Sequence, residues 1–398
     1  MKLLAFSSGV CYTSIVMINV QPVTQRTLGR FIAFPDRLYR ADRRYVPYMK
    51  ADLKRTLKHL LFEKQTYHAL LALDGRGRVC GRVLYTIDSN KRAATDRCGF
   101  FSMYECVDDL TVSRALLSAM QTHLRALGAV MMEGPYFPYD QDNRRGFLAE
   151  GFDRPPLILT SYNPPYYIDQ MHDFGLCKQT DALAYAIEAQ PERRAWVGRL
   201  AQRAMKRSDF RIDVADMSRV EDELRDIHTV MEAADTDVIY QQTPSMDTLR
   251  TVAVEWRRFL DPELILIARR NSDNAPIGVV MALPDWFEVF RAMRGRMDAR
   301  GVIAFLRTRR HIHAVRAILQ YVIPAYQSRG VNAALYNRLW QTIEKRRIDY
   351  VEVGTIMEKN ALSNESIRSV CGRLARVYRI FYKNFSKEES LTSGGDAT

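Results

Sequence analysis

The sequence predicts an α/β protein built from two similar halves, each a mixed central sheet flanked by helices. Three observations predict it. One order of elements (hairpin, strand, helix, strand, helix, strand) runs through both halves of the chain. A strand–loop–helix segment in the second copy has the residues of an anion-binding turn. The 398 residues are 47% hydrophobic and 10% aromatic, the composition of a folded globular chain.

In the first half, residues 68–74 (HALLALD) and 79–87 (VCGRVLYTI) are β-rich runs around the turn Gly75-Arg76-Gly77, a hairpin signal. Residues 98–106 (CGFFSMYEC) read as the next strand. Residues 111–127 read as an amphipathic helix, because Val112, Leu116, Met120 and Leu124 recur at helical spacing. Gly128 ends that helix and 129–133 form a short strand. In the second half, 264–269 and 277–283 flank the turn Asn271-Ser272-Asp273-Asn274. Strand 317–323 leads to a helix over 333–345, then strand 350–356, a short helix over 364–374 and a last strand over 377–382. The repetition divides the chain into an extension (1–17), a first domain (18–190), a second domain (191–385) and a polar, Gly-containing tail (386–398), with the join near 188–194.

The extension is apolar at Leu3, Leu4, Ala5 and Phe6, but Ser7, Ser8 and Gly9 interrupt the run, and Val10 stands where a lipidated cysteine needs a small residue. Met17 therefore reads as the natural start. No stretch reaches the roughly 18–20 apolar residues of a membrane span. The six cysteines form no C-x-x-C pair, so they read as reduced thiols of a cytoplasmic protein, with no metal site. Lysine and arginine number 58 against 46 acidic residues, a net charge of +12 that favours polyanionic partners: nucleic acid, anionic lipid or a phosphorylated ligand. No zinc-finger spacing or RNA-recognition motif accompanies the charge, so nucleic acid stands last among these.

The informative segment is residues 317–339, AILQYVIPAYQSRGVNAALYNRL. An apolar strand runs into a loop with Gln327, Arg329 and Gly330, and a helix follows directly. Unpaired amides at a helix N-terminus, the helix dipole and a glycine that permits close approach together capture phosphate. Arg329 adds a charge-assisted contact. Gln327-Ser328-Arg329-Gly330-Val331-Asn332 resembles the Q/R-x-x-G-x-G/A pyrophosphate loop of the GCN5-related N-acetyltransferase (GNAT) superfamily. The departure is Asn332, where the family has Gly or Ala. The resemblance implies two tandem GNAT-like domains and acyl-CoA as co-substrate, its diphosphate held by these six residues. It also implies that backbone groups of Tyr321, Val322 or Ile323 meet the thioester carbonyl, and that Asn360 and Asn364 follow the next strand as the family often shows. The first half has Val107-Asp108-Asp109-Leu110 at the matching place, with no glycine and two carboxylates that repel diphosphate, so it reads as a degenerate copy. Further stretches, among them residues 34–40 (FPDRLYR), 161–167 (SYNPPYY), 282–285 (ALPD) and 378–382 (YRIFY), resemble a bacterial tandem subgroup that includes ceramide synthases.

Acyl transfer to an amine needs a base for the ammonium proton, a donor for the carbonyl and a proton for the leaving thiolate. Base candidates are Glu352, His313 and Glu358, each of which also reads as an ordinary ion-paired or solvated residue. Acid candidates are Cys371, Tyr378 and Tyr382, or the thiolate leaves unassisted. An insert over 285–310 carries Trp286, Phe287, Phe290, Met293 and Met297 at near-helical spacing among Arg291, Arg294, Arg296 and Arg300. It reads as a membrane-binding surface or a lid over an acyl chain, or else as a helix packed on the core. The expected activity is acyl transfer from CoA to an amine, a long-chain sphingoid base, at the cytosolic face of an anionic membrane. The alternatives are acetyl transfer to a small molecule or peptide, and non-catalytic binding of acyl-CoA or nucleic acid.

Overall fold

The computed structural model describes residues 18–87, 97–136, 144–188, 190–234, 243–294, 298–370 and 372–385. The first half runs β1 (Asn19–Pro22), α1 (Leu28–Leu38), α2 (Lys50–Lys58), β2 (Tyr67–Leu73), β3 (Val79–Ile87), β4 (Cys98–Cys106), α3 (Leu110–Ala126), β5 (Met131–Gly134), β6 (Phe147–Glu150), α4 (Tyr166–Asp173) and β7 (Cys177–Ile187). A connecting helix, α5 (Pro191–Ser208), leads into β8 (Phe210–Val214), α6 (Val220–Ala234) and α7 (Met246–Trp256). Then follow β9 (Ile265–Arg270), β10 (Pro276–Pro284), α8 (Trp286–Met293), α9 (Ala299–Thr308), β11 (Ala314–Val322), α10 (Val331–Lys345), β12 (Tyr350–Met357), α11 (Ala361–Ser369) and β13 (Gly372–Asn384).

Both halves lie in one continuous sheet of order β1-β2-β3-β4-β5-β13-β7-β12-β11-β10-β9-β8, with β6 beside β13. Each half contributes its last strand to the other. β7 pairs with β12 of the second half, β13 pairs with β5 of the first, and the two exchanged strands pair with each other over ten residue pairs. The halves cannot part without breaking the longest ladder in the molecule. The helical spacing of α3 places its apolar residues on one buried face: Val112, Leu116, Met120 and Leu124 are all 3% exposed or less. On the second half, α10 buries Val331, Ala334, Leu335 and Leu339 against Val197, Ala201 and Ala204 of α5.

The edge strands β1 and β8, and helices α1, α2, α5, α6 and α7, go beyond the elements expected from sequence. The edge strands span only four and five residues, and α1 contains Pro35, which masks its helical pattern. The 285–310 insert forms two helices, α8 and α9, rather than one face. Met297 and Cys371 lie outside the described residues. No described helix is long and apolar enough to cross a membrane. No group of three or more His, Cys, Asp or Glu placed to hold a metal ion occurs among the described residues.

Candidate active site

The site begins where two parallel strands part. β11 and β12 are in register over only four pairs, Ala314↔Tyr350 to Ala317↔Val353. Beyond them β11 stays with β10, with an irregularity opposite Met281 and Ala282, while β12 stays with β7. A wedge opens between Ile318–Val322 and Gly354–Met357. Ile323 donates its N–H to Ile277 of the β10 side at 3.1 Å, so strand alternation turns Tyr321 and Ile323 toward β10 and turns Gln320 and Val322 into the wedge. The Gln327 side chain donates to the Val322 carbonyl at 3.1 Å from that open side. Of the three backbone positions expected to meet a thioester carbonyl, Val322 therefore faces the wedge, and Gln320 joins it.

The loop at the mouth of this wedge lies at the surface, with the Gln327 and Arg329 amides bonded within it to the Pro324 and Tyr326 carbonyls at 3.2 and 3.4 Å. Gln327, Ser328 and Arg329 are exposed. Ser328 and Gly330 take left-handed φ values of 59° and 82°, which swing the chain into α10. Gly330 occupies the N-cap with no side-chain cap, and the first helical bond runs from Ala334 N–H to the Gly330 carbonyl at 3.1 Å. The amides of Gly330, Val331, Asn332 and Ala333 thus make no hydrogen bond among the described residues, which leaves a helix N-terminus open to an anion. The Arg329 guanidinium lies 5.3 Å from the Tyr326 ring. Gly330 is pressed onto α5: a Cβ there would come 2.6 Å from the Ala204 Cβ. That contact brings the last turns of α5, with exposed Arg203, Lys206 and Arg207, alongside the loop. Asn332 donates to Ser366 Oγ of α11 at 3.3 Å, so the residue that departs from the family pattern bridges the two sides of the wedge.

The acid–base candidates are spread widely. Glu352 sits at the wedge apex, wholly buried; its Oε2 accepts from Arg376 Nε and Tyr350 Oη, both at 3.0 Å, and its Oε1 has no hydrogen-bond partner among the described residues. Its register partner Arg316 is buried too and donates to the Ile158 and Leu159 carbonyls, both at 3.0 Å. His313 is exposed at the opposite end of β11 from the loop, its Nδ1 3.3 Å from Asp349. Tyr382 lies where β13 pairs with Glu133 of β5, on the first half. Glu358 is paired with Lys178, and Tyr378 is buried with burial raising its pKa. Asn360 caps α11 by accepting from Ser363 N–H at 3.1 Å. Asn364 is buried: it accepts from Tyr185 Oη at 2.9 Å and donates to the Met357 and Asn360 carbonyls at 2.9 and 2.8 Å. Both asparagines hold the end of β12 against α11.

A cavity of about 2010 Å³ opens from the wedge, lined on one side by Ile318, Leu319, Tyr321 and Thr355 and running toward Phe100 and Ser102 of the first half. The α8 aromatics complete it. Phe287 and Phe290 line the cavity, Trp286 donates to the Phe259 carbonyl at 2.9 Å, and Met293 is buried. These four side chains face the protein interior. Asp285 holds this wall together and was not singled out as a site residue from sequence: its Oδ1 accepts from Phe287 N–H, capping α8, and from Ile158 N–H at 2.7 Å. Burial pushes its carboxyl up to about 7. The available signal was an Asp immediately before an amphipathic helix, an N-cap pattern.

The first half has the same wedge without the same mouth. β4 and β5 pair over Cys98↔Met131 to Phe100↔Glu133 and then part. The helix that follows, α3, is capped by its own Asp109, which accepts from Thr111 N–H at 2.8 Å. A carboxylate already occupies the position that an external anion would take.

No protein-family model matches the chain. It is similar to the bacterial ceramide synthase of Caulobacter vibrioides, 26% identical over 384 residues, covering 92% of this chain and 97% of the relative. It is similar as well to the protein YghO of Escherichia coli, 24% identical with 92% and 96% covered. Among solved structures, a GCN5-related N-acetyltransferase from Sphaerobacter thermophilus superposes with a TM-score of 0.51 at 12% identity, covering 92% of this chain and 95% of that one. A tandem GNAT protein from the clavulanic acid biosynthesis pathway does so with a TM-score of 0.51 at 8% identity, covering 92% and 98%. With the repeated wedge, the exchanged last strands and the open loop before α10, the chain has the tandem GCN5-related N-acetyltransferase fold and resembles bacterial ceramide synthase.

Proposed function

We propose that this protein is an N-acyltransferase that takes its acyl group from acyl-CoA bound in the second half and gives it to a long-chain amine, a sphingoid base, making a ceramide-like amide. The observation that carries this reading is the uncapped N-terminus of α10 at the mouth of a wedge beside a cavity of about 2010 Å³, to whose wall Phe259, Phe287 and Phe290 contribute. The diphosphate binds the amides of Gly330 to Ala333 with Arg329 beside it, and the pantetheine arm runs between β11 and β12. The thioester carbonyl meets wedge-facing backbone of Gln320 or Val322. The amine nitrogen attacks that carbonyl carbon, the C–S bond breaks, and CoA leaves as thiolate. Glu352 at the apex, whose Oε1 has no hydrogen-bond partner among the described residues, is the base that takes the ammonium proton. The thiolate is a good enough leaving group to depart before it is protonated.

Support for a long acyl chain comes from Phe259, Phe287 and Phe290, which line the cavity beside the wedge. The name of the Caulobacter relative points the same way for the acceptor. Such an acceptor is drawn from the cytosolic face of a membrane. The test is thiol release from a series running from acetyl-CoA to stearoyl-CoA, with sphinganine and with a short amine as acceptors. Turnover confined to long acyl-CoA and sphinganine is expected. Turnover only with acetyl-CoA favours the small-molecule reading, and no release with any pair removes the enzyme.

A further inference from the structure

The insert that supplies the cavity wall has a second, outward-facing member. α9 packs on α8 through Phe305, whose ring stacks on Trp286 with centroids 6.1 Å apart. Its other face is exposed: Val302, Ile303 and Leu306 are 48%, 49% and 48% exposed, an i, i+1, i+4 apolar stripe. Residues 299–311 contain Arg300, Arg307, Arg309 and Arg310 and not one carboxylate. None of these four arginines forms a salt bridge among the described residues, whereas the arginines of α7 and of β9 (Arg250, Arg269) are paired. The apolar ground continues at the mouth of the cavity, where Val252 and Val254 of α7 are 45% and 77% exposed and line its rim. The ring contacts Trp256–Phe259–Trp286–Phe305 join α7 to α9 across this rim.

We propose that α9 docks this protein on an anionic phospholipid bilayer, with Val302, Ile303 and Leu306 in the headgroup–acyl boundary and the four arginines on the phosphates. An exposed apolar stripe argues for a partner with an apolar interior, and a cluster of arginines without a carboxylate partner among the described residues (Arg309 lies 5.5 Å from the Phe305 ring) argues that its surface is anionic. A bilayer of acidic lipids supplies both at once. A nucleic acid would satisfy the arginines and leave the stripe in water. The inference rests on the reading of a lipid acceptor for its purpose: it sets the cavity rim at the bilayer surface, where a long-chain amine leaves the membrane and enters the protein. The aromatic residues of α8 then form the channel wall and α9 the anchor.

The test is flotation of the full chain with phosphatidylglycerol/phosphatidylcholine vesicles, with pure phosphatidylcholine vesicles, and with a single-stranded RNA in competition. Binding to the anionic vesicles, weakened by high salt, is expected, and little binding to the neutral ones. Ile303→Asp with Leu306→Asp, and separately Arg300→Glu with Arg307→Glu, should each lower the vesicle partition roughly tenfold or more. CoA affinity by titration calorimetry and turnover of acyl-CoA with detergent-dispersed sphinganine should stay unchanged in both variants. Equal partition of wild type and variants, no vesicle binding at all, or displacement by RNA would overturn the proposal. Vesicle binding that follows these changes in a protein that acylates no amine would keep the docking surface and sink only the enzymatic reading.

Discussion

The two halves build the same wedge and finish it differently. In the first, the helix after the parting strand starts at Leu110 behind Asp109, whose carboxylate takes the Thr111 amide. In the second, the helix starts at Val331 behind Gly330, which has no side chain, and four amides stay open. A capping carboxylate supplies the negative charge that a helix N-terminus attracts, so α3 is satisfied by its own Asp109 while α10 has no such group. On the proposed reading, that one residue at the cap sets which copy holds the diphosphate.

The largest effect should come from the junction that both halves share. Glu352→Gln leaves Arg376 buried without its carboxylate at the exchanged strands, and should cost about 3–5 kcal/mol in urea unfolding while abolishing turnover. A variant of wild-type stability would mean that the pair holds nothing together. Next, Arg329→Ala should weaken CoA binding about tenfold with no loss of thermal stability, because Arg329 is exposed and its guanidinium lies beside the Tyr326 ring. Gly330→Val is a poorer probe. It demands a side chain at φ 82° and against Ala204, so it damages the fold along with the loop. The third effect is on pH. The Asp285 carboxyl is raised to about 7 by burial, so the stability it contributes is complete below about 4 and is lost as pH rises through 7. Asp285→Asn should therefore gain on wild type between pH 5 and pH 8 in parallel unfolding series; a constant difference across that range would refute the assignment. The smallest effect belongs to the first half. Asp109→Ala should cost about 1 kcal/mol of stability and leave CoA affinity unchanged. A change in CoA affinity there would erase the contrast between the halves.

Much of this was legible in the sequence because it depends on local pattern. The hairpins, α3 and the 327–332 turn announce themselves through alternation, helical spacing and a glycine after an arginine. The exchange of β7 and β13 was not, because pairing partners 166 or more residues apart leave no trace in either segment: residues 177–187 read the same whether they pair with β5 or with β12. Asp285 was passed over for a related reason. Its role depends on Ile158, a neighbour only after the halves are packed. The α8 aromatics illustrate a third limit, since periodicity gives a face and does not say whether that face meets lipid, ligand or core. His313 and Tyr382 show the same limit for chemistry: strand membership was readable, but which end of β11 opens, and which half β13 joins, came only with the sheet order.

Amide hydrogen exchange of the full chain, measured with and without saturating CoA, tests the central claim most directly. The account predicts slowed exchange in peptides covering 327–334 and none in peptides covering 107–113. Protection at 107–113, or unchanged exchange at 327–334 with CoA bound, would contradict it.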